Sequence, residues 1–309
     1  MKALAISGQG EAPVVMQVPD VEVGPGQVEV AVEAASLNGF DLAVAAGYVW
    51  GFMPHTFPVT LGRDFAGTVS AVGDGVTAVS LGDRVAGVVT LPGLGAGPIA
   101  ERVAAPAQSL VSLPATVTAL QAAGVGLAGV TALDVIDALS LQSGETVLIS
   151  GATGGVGAFA LQLAVARGAR VLATARPGEA ADFVRGLGAA EVVDYTGDVL
   201  AAVRELAPDG VGKAVHMAGD PAVLGACLTA GGQLASIVGA TAETVGRGDV
   251  TVTPVAGAYT PAKLAALLDM VADGRLVVPV AATVPLDDAA QALAKFAAGK
   301  LGKVVITAS

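Results

Sequence analysis

A glycine-rich turn between an apolar run and a helix-length segment limits the fold of this chain more than any other feature of its sequence. The apolar run covers residues 146–150 and the helix-length segment covers 155–167. Between them, Ala152, Gly154 and Gly157 occupy the three positions of a G-x-G-x-x-G pattern. Between a strand and a helix, this pattern is typical of the first turn of a dinucleotide-binding βαβ unit.

The turn supplies what a pyrophosphate needs. Gly154 lets the backbone approach the anion closely, Gly157 lets the helix pack against the strand, and the free N–H groups at the helix start bind the anion. Alanine at the first position is a mild departure, and alone such a motif is often only a tight turn. We expect the cofactor-binding residues of the turn to be Ala152, Thr153, Gly154, Gly155 and Val156.

The residues at the end of the next predicted strand indicate which dinucleotide binds. An NAD site has an acidic residue there, which bonds the ribose 2′-hydroxyl. This chain instead has Thr174, Ala175 and Arg176, and an arginine pairs with a 2′-phosphate in a charge-assisted fork. The sequence therefore predicts NADPH, with Thr174 and Arg176 in its site. The alternative is an exposed arginine without such a role, neutralised by the nearby Glu179.

Strand and helix patterns alternate through the second half of the chain. Strand-like runs lie at 170–174, 191–193, 213–215 and 233–238, with a helix near 180–187. Alternation at this rhythm is typical of the doubly wound parallel sheet of the Rossmann type. The fold class is therefore α/β, with this sheet as one of its parts.

The first hundred or so residues have a β-rich pattern instead. Val28, Val30 and Val32 alternate with Glu or Ala after a Gly-Pro-Gly turn, which is the pattern of a half-buried strand. Short runs at 66–72 and 84–90, separated by turns, indicate a small barrel or sandwich. After residue 257, Thr260 and Pro261 are an expected N-cap and first residue of a helix.

The hydropathy of the chain raises the question of a membrane protein. Hydrophobic residues make up 53% of the 309 residues, and the mean hydropathy is +0.70. The longest charge-free runs, 103–133 and 146–166, contain prolines or glycines among polar residues. Neither is an unbroken apolar stretch of about 20 residues. We expect both to be buried segments of a soluble α/β protein.

Charge and cysteine content exclude further classes. Sixteen basic and 27 acidic residues give a formal net charge of −11 without a visible Lys/Arg cluster, so neither nucleic acid nor an anionic membrane is an expected partner. The single cysteine, Cys227, excludes an intramolecular disulfide and a cysteine-rich zinc site. The N-terminal segment lacks the apolar core of a signal peptide, so we expect a cytoplasmic protein.

Short motifs run along the whole chain in a recognisable order. They are Ser-Leu-Asn-Gly-Phe-Asp at 36–41, Leu-Gly-Arg-Asp-Phe-Ala-Gly-Thr-Val at 61–69, Gly-Asp-Arg-Val at 82–85, Gly-Val-Thr-Ala-Leu at 129–133, the glycine turn, Gly-Gly-Gln-Leu at 231–234 and Gly-Lys-Val-Val at 302–305. Together they resemble the zinc-free quinone oxidoreductases of the medium-chain dehydrogenase/reductase superfamily.

The resemblance implies a domain organisation and an activity. It implies a GroES-like catalytic domain at 1–124, a Rossmann NADP(H)-binding domain at 125–258, and a return to the catalytic domain at 259–309, with the active site in the cleft between the domains. It also implies a homodimer that uses NADPH to reduce quinones or activated alkenes.

The resemblance also bears on zinc. In the zinc-dependent relatives a cysteine stands where this chain has Asn38, a histidine where it has Arg63, and a third ligand near positions 124–126, which are glycine, valine and glycine here. Zinc sites of this kind need thiolate or imidazole ligands. Asp64 keeps the acid of the relatives, but one carboxylate is not a site. The sequence therefore predicts no metal.

Without a metal, reduction depends on placing the nicotinamide against an electron-poor carbon, with donors for the developing oxyanion. Asn38 is the first candidate, to orient substrate or ribose, although an asparagine ending a strand is often a turn residue. Tyr48 matches a proposed proton donor of related polyketide enoyl reductases, and a packed aromatic is its alternative. Asp41 is the third candidate, with anchoring of the Asn38 loop or pairing with Arg63 as the stronger alternative.

Further cofactor residues follow from the resemblance. Thr131 matches a threonine that reaches the nicotinamide end, and Tyr195 matches a tyrosine near the adenosine phosphate. Ala218, Gly219 and Val238 end strands where the dinucleotide crevice is expected. His216 replaces the more usual aspartate before Gly219, which leaves the local hydrogen bonding open.

These observations lead to one function and two alternatives. The expected function is a metal-free, NADPH-dependent reductase of quinones or α,β-unsaturated carbonyls. The first alternative is an enoyl-thioester reductase of a biosynthetic pathway, which a basic pocket for a phosphopantetheine tail would distinguish. The second is a non-catalytic NADPH-binding protein.

Overall fold

The computed structural model describes residues 1–90, 93–299 and 301–308. The chain divides into two compact units. Unit 1 comprises residues 1–127, 259–274 and 278–309, and unit 2 comprises 128–258 and 275–277. The first boundary lies three residues beyond the expected position 124, inside a helix, and the short segment 275–277 joins unit 2 rather than the C-terminal part of unit 1.

The secondary structure follows the chain in a β-rich, then alternating, then mixed order. The strands are β1 (Lys2–Ile6), β2 (Val14–Gln17), β3 (Gln27–Ser36), β4 (His55–Thr60), β5 (Asp64–Val72), β6 (Arg84–Val88), β7 (Leu94–Ala96), β8 (Arg102–Pro106), β9 (Leu110–Ser112), β10 (Thr146–Ile149), β11 (Arg170–Thr174), β12 (Glu191–Val193), β13 (Val211–His216), β14 (Leu228–Ser236), β15 (Thr251–Pro254), β16 (Val280–Pro285) and β17 (Lys303–Thr307). The helices are α1 (Gly39–Ala45), α2 (Ala119–Ala138), α3 (Gly155–Ala166), α4 (Glu179–Gly186), α5 (Val199–Leu206), α6 (Pro221–Cys227), α7 (Ala242–Val245), α8 (Pro261–Ala272) and α9 (Ala289–Ala297).

Unit 2 contains a parallel sheet in the order β12-β11-β10-β13-β14-β15. Its order reverses next to β10, because β11 pairs with one side of that strand and β13 with the other. The central strands are apolar on both faces, as a sheet covered by helices requires. Helix α3 is buried from Gly157 to Leu163 and beyond, with no polar face. The predicted α/β class with a doubly wound sheet is confirmed.

Unit 1 is built on two sheets that run in the orders β2-β1-β4-β7 and β16-β17-β3-β5-β6-β9, with β8 also paired to β3. In β3 the predicted alternation is realised, since Val28, Val30 and Val32 are buried in the core of this unit. The C-terminal strand β17 pairs antiparallel with β3, from Val305 opposite Ser36 to Thr307 opposite Ala34. Residues 305–307 therefore lie directly beside residues 34–36.

Helix α2 contains the boundary between the units, which falls after residue 127. It also contains residues 119–133 of the charge-free run at 103–133. By length and composition alone it could cross a membrane, and it is the one helix of the described residues that passes this test. Its mean hydropathy is 1.6, and 67% of its most apolar stretch is buried inside the protein. Burial to this extent is expected of a helix in a protein core.

Candidate functional site

A cavity of about 840 Å³ lies at the carboxyl ends of the parallel strands of unit 2. Its wall is formed by the last residue of β11, by residues that follow β10, β12 and β13, and by residues of α5 and α6. The cavity brings together five of the predicted cofactor residues, which are Thr153, Thr174, Tyr195, Ala218 and Gly219. Ligands of doubly wound sheets bind at this edge.

The glycine turn has the geometry that its sequence pattern indicates. Gly151 has a φ of +70°, in the region that favours glycine. A Cβ on Gly157 would lie 2.7 Å from Cα of Ala152, so only glycine lets α3 pack this closely on the turn. Gly154 is the N-cap of α3 and makes no side-chain cap. The first N–H groups of α3 therefore retain their capacity to bind an anion.

The expected 2′-phosphate region lies beside the end of β11. The guanidinium carbon of the exposed Arg176 is 5.6 Å from the ring centre of Tyr195, which is 46% exposed and lines the cavity. Thr174 is buried, and its Oγ1 accepts the N–H of Gly151 at 3.1 Å, so it supports the glycine turn. Bonds from the N–H and hydroxyl of Thr196, with Arg176 nearby, lower the pKa of the Asp194 carboxyl.

The other predicted cofactor residues lie outside the wall of the cavity. Ala152 is fully buried under the turn, and Gly154, Gly155 and Val156 are partly exposed at the start of α3. Val238 is 54% exposed in the loop after β14. Thr131 lies within α2, where it is 8% exposed and packs against Gly257.

Ser150 lines the cavity, and together with the buried His216 and Ser236 it belongs to a group that we call the neutral cluster. Ser150 Oγ donates to the Val215 carbonyl at 3.1 Å and accepts the N–H of Met217 at 3.2 Å. His216 contacts Ser236 Oγ through Nδ1 at 3.0 Å. The sequence left open which hydrogen bonds His216 makes in place of the more usual aspartate. In the structure it contacts the end of the neighbouring strand β14.

In unit 1, the first predicted catalytic residues belong to a second buried group, which we call the charged cluster. It consists of Ser36, Asn38, Asp41, Asp64 and Lys303. Asn38 Nδ2 donates to Asp64 Oδ2 at 2.9 Å, and Asn38 Oδ1 accepts from Lys303 Nζ at 2.7 Å. Lys303 Nζ lies 3.7 Å from Asp64 Oδ2, and both side chains are at most 2% exposed. The amide of Asn38 is therefore occupied at both ends within the protein.

Asp41 connects two backbone segments of this cluster. Its Oδ2 accepts the N–H of Asn38 at 2.7 Å, which is one half of a capping box at the start of α1, and its Oδ1 accepts the N–H of Gly62 at 2.9 Å. Burial raises the pKa of Asp41 to about 6, against these two N–H donors and Lys303, which lower it. Burial also lowers the pKa of Lys303, against Asp64 and Asp41, which raise it. Asp41 anchors the loop that carries Asn38.

Tyr48 lies in a different environment from Asn38 and Asp41. It follows α1, where its N–H donates to the Ala43 carbonyl at 3.0 Å, and its side chain is 78% exposed. The packed-aromatic alternative thus does not describe its surroundings. Its phenol is accessible to a molecule from solvent.

The residues at the zinc positions of related enzymes have donors of the wrong kind. The amide of Asn38 is engaged by Asp64 and Lys303. Arg63 donates to the Val89 carbonyl at 2.8 Å and lies over the Phe40 ring, and burial lowers its pKa. The described residues contain no group of three or more His, Cys, Asp and Glu side chains that could hold a metal ion.

Of the eight members of these clusters, only Asn38 and Asp41 were predicted as site residues from the sequence, and Lys303 and Ser236 are two that were not. Lys303 is separated from Asn38 by 265 residues, and its signal was its place in the Gly-Lys-Val-Val motif at the start of an apolar strand. Ser236 had no signal, because a serine at the end of a strand is common. Both contacts arise from strand pairing, of β17 with β3 and of β14 with β13.

Two family models match the chain. The alcohol dehydrogenase GroES-like domain matches residues 24–115, and the zinc-binding dehydrogenase model matches residues 187–306. The chain is 32% identical over 311 residues to a mycocerosic acid synthase-like polyketide synthase of Mycolicibacterium smegmatis, covering 92% of this chain and 14% of that protein. It spans between 8% and 63% of the length of the first curated relatives that it matches.

Solved structures resemble the whole chain. A quinone oxidoreductase of Pseudomonas syringae pv. tomato DC3000 is 30% identical, with a TM-score of 0.86 and 99% of each chain covered. A mycobacterial protein in complex with NADPH is 29% identical, with a TM-score of 0.86, covering 99% of this chain and 100% of the other.

Proposed function

Because this chain belongs to the quinone oxidoreductases of the medium-chain dehydrogenase/reductase superfamily, we propose that it reduces quinones or α,β-unsaturated carbonyls with NADPH and without a metal ion. The family makes the chain an oxidoreductase. The observation that carries the choice of cofactor is Arg176 over Tyr195, next to the cavity at the end of β11.

The residues of unit 2 fit a dinucleotide with a 2′-phosphate. The uncapped N-terminus of α3 would receive the pyrophosphate, and the close packing of Gly157 keeps that N-terminus beside the cavity. Arg176 would pair with the 2′-phosphate while resting on Tyr195. When bound, NADPH supplies the hydride, and the protein supplies its orientation.

For the acceptor, we propose roles for the three residues predicted in unit 1. Hydride addition to a quinone or enone produces a phenolate or enolate, which a few hydrogen bonds stabilise without a metal. Tyr48, with its exposed phenol, would donate a hydrogen bond or proton to that oxygen or to the adjacent carbon. Asn38 and Asp41 would act as positioning residues, because their polar atoms are held by the protein.

Steady-state kinetics tests this function. We expect purified protein to oxidise NADPH in the presence of 1,4-benzoquinone, 9,10-phenanthrenequinone or a short enone.

Arg176→Ala should weaken NADPH binding roughly tenfold to hundredfold, because a hydrogen bond to a charged group is worth about 1.5–3 kcal/mol, and should leave NADH binding nearly unchanged. The matched control is Arg185→Ala, an exposed arginine of α4 paired with Asp182. Equal losses for both cofactors would contradict the assignment of Arg176.

Independence from metal has its own measurement. We expect dialysis against a chelator to leave the rate of NADPH oxidation unchanged, since the zinc positions hold Asn38 and Arg63, with the Lys303 ammonium beside Asn38. Loss of activity on chelation, restored by zinc, would contradict the metal-free assignment.

The similarity to a polyketide synthase over 92% of the chain favours one second candidate, an enoyl-thioester reductase. A crotonyl thioester of coenzyme A, compared with the quinones and a simple enone, separates the two. A higher kcat/KM for the thioester would favour this candidate. Tight NADPH binding without turnover of any acceptor would favour the non-catalytic alternative.

A homodimer is proposed from the family resemblance alone. Light scattering of the purified protein should then give twice the chain mass of 30.0 kDa. A mass equal to that of one chain would contradict it.

A further inference from the structure

His216 forms a bridge between two loops of unit 2. Its Nδ1 lies 3.0 Å from Ser236 Oγ, and its Nε2 lies 3.1 Å from the carbonyl oxygen of Gly219. His216 is the last residue of β13 and Ser236 the last of β14, and their exposed fractions are 4% and 1%. The ring therefore ties the loop after β13 to the last residue of β14, whose Oγ accepts N–H groups of the loop that follows.

The partners of the ring determine where its proton lies. A carbonyl oxygen only accepts, so Nε2 must carry the proton of the bond to Gly219. Ser236 Oγ already accepts two backbone N–H groups, from Val238 at 3.3 Å and from Ala240 at 3.0 Å. Its hydroxyl proton is therefore left for Nδ1. A neutral imidazole with the proton on Nε2 satisfies every polar atom of the bridge, and the other protonation states do not.

The bridge acts on the wall of the cavity. Ala218, Gly219 and Asp220 line the cavity. Gly219 has a φ of +84°, and because glycine occupies both signs of φ with similar ease, its own conformational preference does not hold the adjoining peptide in one orientation. The hydrogen bond from His216 Nε2 holds this peptide in one orientation. The same ring also keeps Ser236 oriented to hold the N–H groups of the loop after β14.

We propose that His216 is a positioning residue for the dinucleotide, whose Nε2–H tautomer sets the Gly219 carbonyl and with it the cavity wall that receives the cofactor. This inference rests on the proposed NADPH-dependent function. A neutral ring performs this task without adding negative charge beside a ligand that carries phosphates, in a chain with a formal net charge of −11.

The tautomer can be measured directly, because the chain has two histidines, His55 and His216. In a His55→Gln background, long-range ¹⁵N–¹H correlation spectra contain the ring of His216 alone. Nε2 couples to both carbon-bound ring protons, whereas Nδ1 couples strongly to one of them. At pH 8 we expect the protonated type of nitrogen to be Nε2. A proton on Nδ1 would overturn the proposal.

Two substitutions separate positioning from general stability. His216→Gln retains a donor that reaches Gly219, and His216→Asn retains an acceptor near Ser236 but does not reach Gly219. Each variant loses one side of the bridge, so we expect similar falls in Tm. NADPH binding should differ, with Kd within about threefold of wild type for the glutamine variant and raised about tenfold or more for the asparagine variant.

The outcomes of this binding experiment are distinct. Equal losses of NADPH affinity in the two variants, with similar falls in Tm, would show that His216 acts on stability alone and would overturn the proposal. Failure of the wild-type protein to bind NADPH would overturn the proposed function and the role of His216 with it. Rescue by glutamine and loss with asparagine, together with the Nε2–H tautomer, is the supporting result.

Discussion

The two units each bury a polar cluster near the ends of their strands, but the clusters are built from different chemistry. In the charged cluster of unit 1, the Asn38 side-chain amide joins Asp64 to Lys303, and the Asn38 N–H donates to Asp41. The Ser36 hydroxyl also donates to Asp64. The neutral cluster of unit 2 uses Ser150, His216 and Ser236, whose partners include several backbone groups. A buried charge requires another charge nearby, whereas a buried hydroxyl is satisfied by hydrogen bonds alone.

The difference teaches what each cluster tolerates. In the charged cluster the Lys303 ammonium lies between Asn38 Oδ1 and Asp64 Oδ2, so its removal leaves a buried carboxylate without its cation. In the neutral cluster, removal of one hydroxyl leaves its former hydrogen-bond partners unsatisfied, but it leaves no buried charge without a partner. We therefore expect the charged cluster to respond more strongly to mutation and to pH.

The largest expected effect is that of Lys303→Met. Removal of one partner from a buried ion pair typically costs about 3–5 kcal/mol, so we expect the free energy of unfolding to fall by about this amount in urea. Lys295→Met is the control, because Lys295 lies exposed in the last turn of α9. If the two variants unfold at the same urea concentration, the Lys303 ammonium does not compensate the charge of the buried carboxylate beside it.

The next effect concerns pH and Asp41. Its pKa of about 6 in the folded protein lies above the ordinary value of 3.8. The folded state therefore binds the proton first as pH falls, and the contribution to stability is full below about pH 4 and lost as pH rises through about 6. At about 1.4 kcal/mol per pKa unit, protonation of Asp41 contributes about 3 kcal/mol to the free energy of unfolding.

Carboxyl ¹³C shifts checked against Asp41→Asn would assign this titration. A midpoint at or below 4 for Asp41 would show that its two N–H donors and Lys303 outweigh burial.

The smallest effect is expected in the neutral cluster. Ser150→Ala removes the acceptor of the Met217 N–H and the donor to the Val215 carbonyl, at an expected cost of about 1–3 kcal/mol. The exposed Ser143 of the same unit serves as the control in Ser143→Ala. A loss for Ser150→Ala that equals the loss for Lys303→Met would remove the distinction between the clusters.

Elements with a strong local signal were predicted closely. The strands at 170–174 and 191–193 have the bounds expected, and Thr260 caps α8 by accepting the N–H of Lys263. Helix α2 was recognised only as a buried apolar run, because it lacks a polar face to give it a helical period. Short helices such as α6, of seven residues, were also missed.

In the candidate site, too, features with a local sequence signal were predicted, whereas contacts between distant residues were not. The glycine turn was predicted from the sequence, because a local pattern of residues forms it. The role of Arg176 in NADPH binding stays a prediction. The enclosure of the Asn38 amide was not predicted, since its partners Asp64 and Lys303 lie 26 and 265 residues away. The roles of Asn38, Tyr48 and Asp41 in catalysis stay predictions.

By itself, the sequence determined the alternation of strands and helices in unit 2 and the glycine turn, because these depend on residues close together in the chain. Only the tertiary structure decided which polar groups meet. Pairing of β17 with β3 brings Lys303 to Asn38, and pairing of β14 with β13 brings Ser236 to His216. Contacts between distant residues follow from strand register, which no short segment encodes.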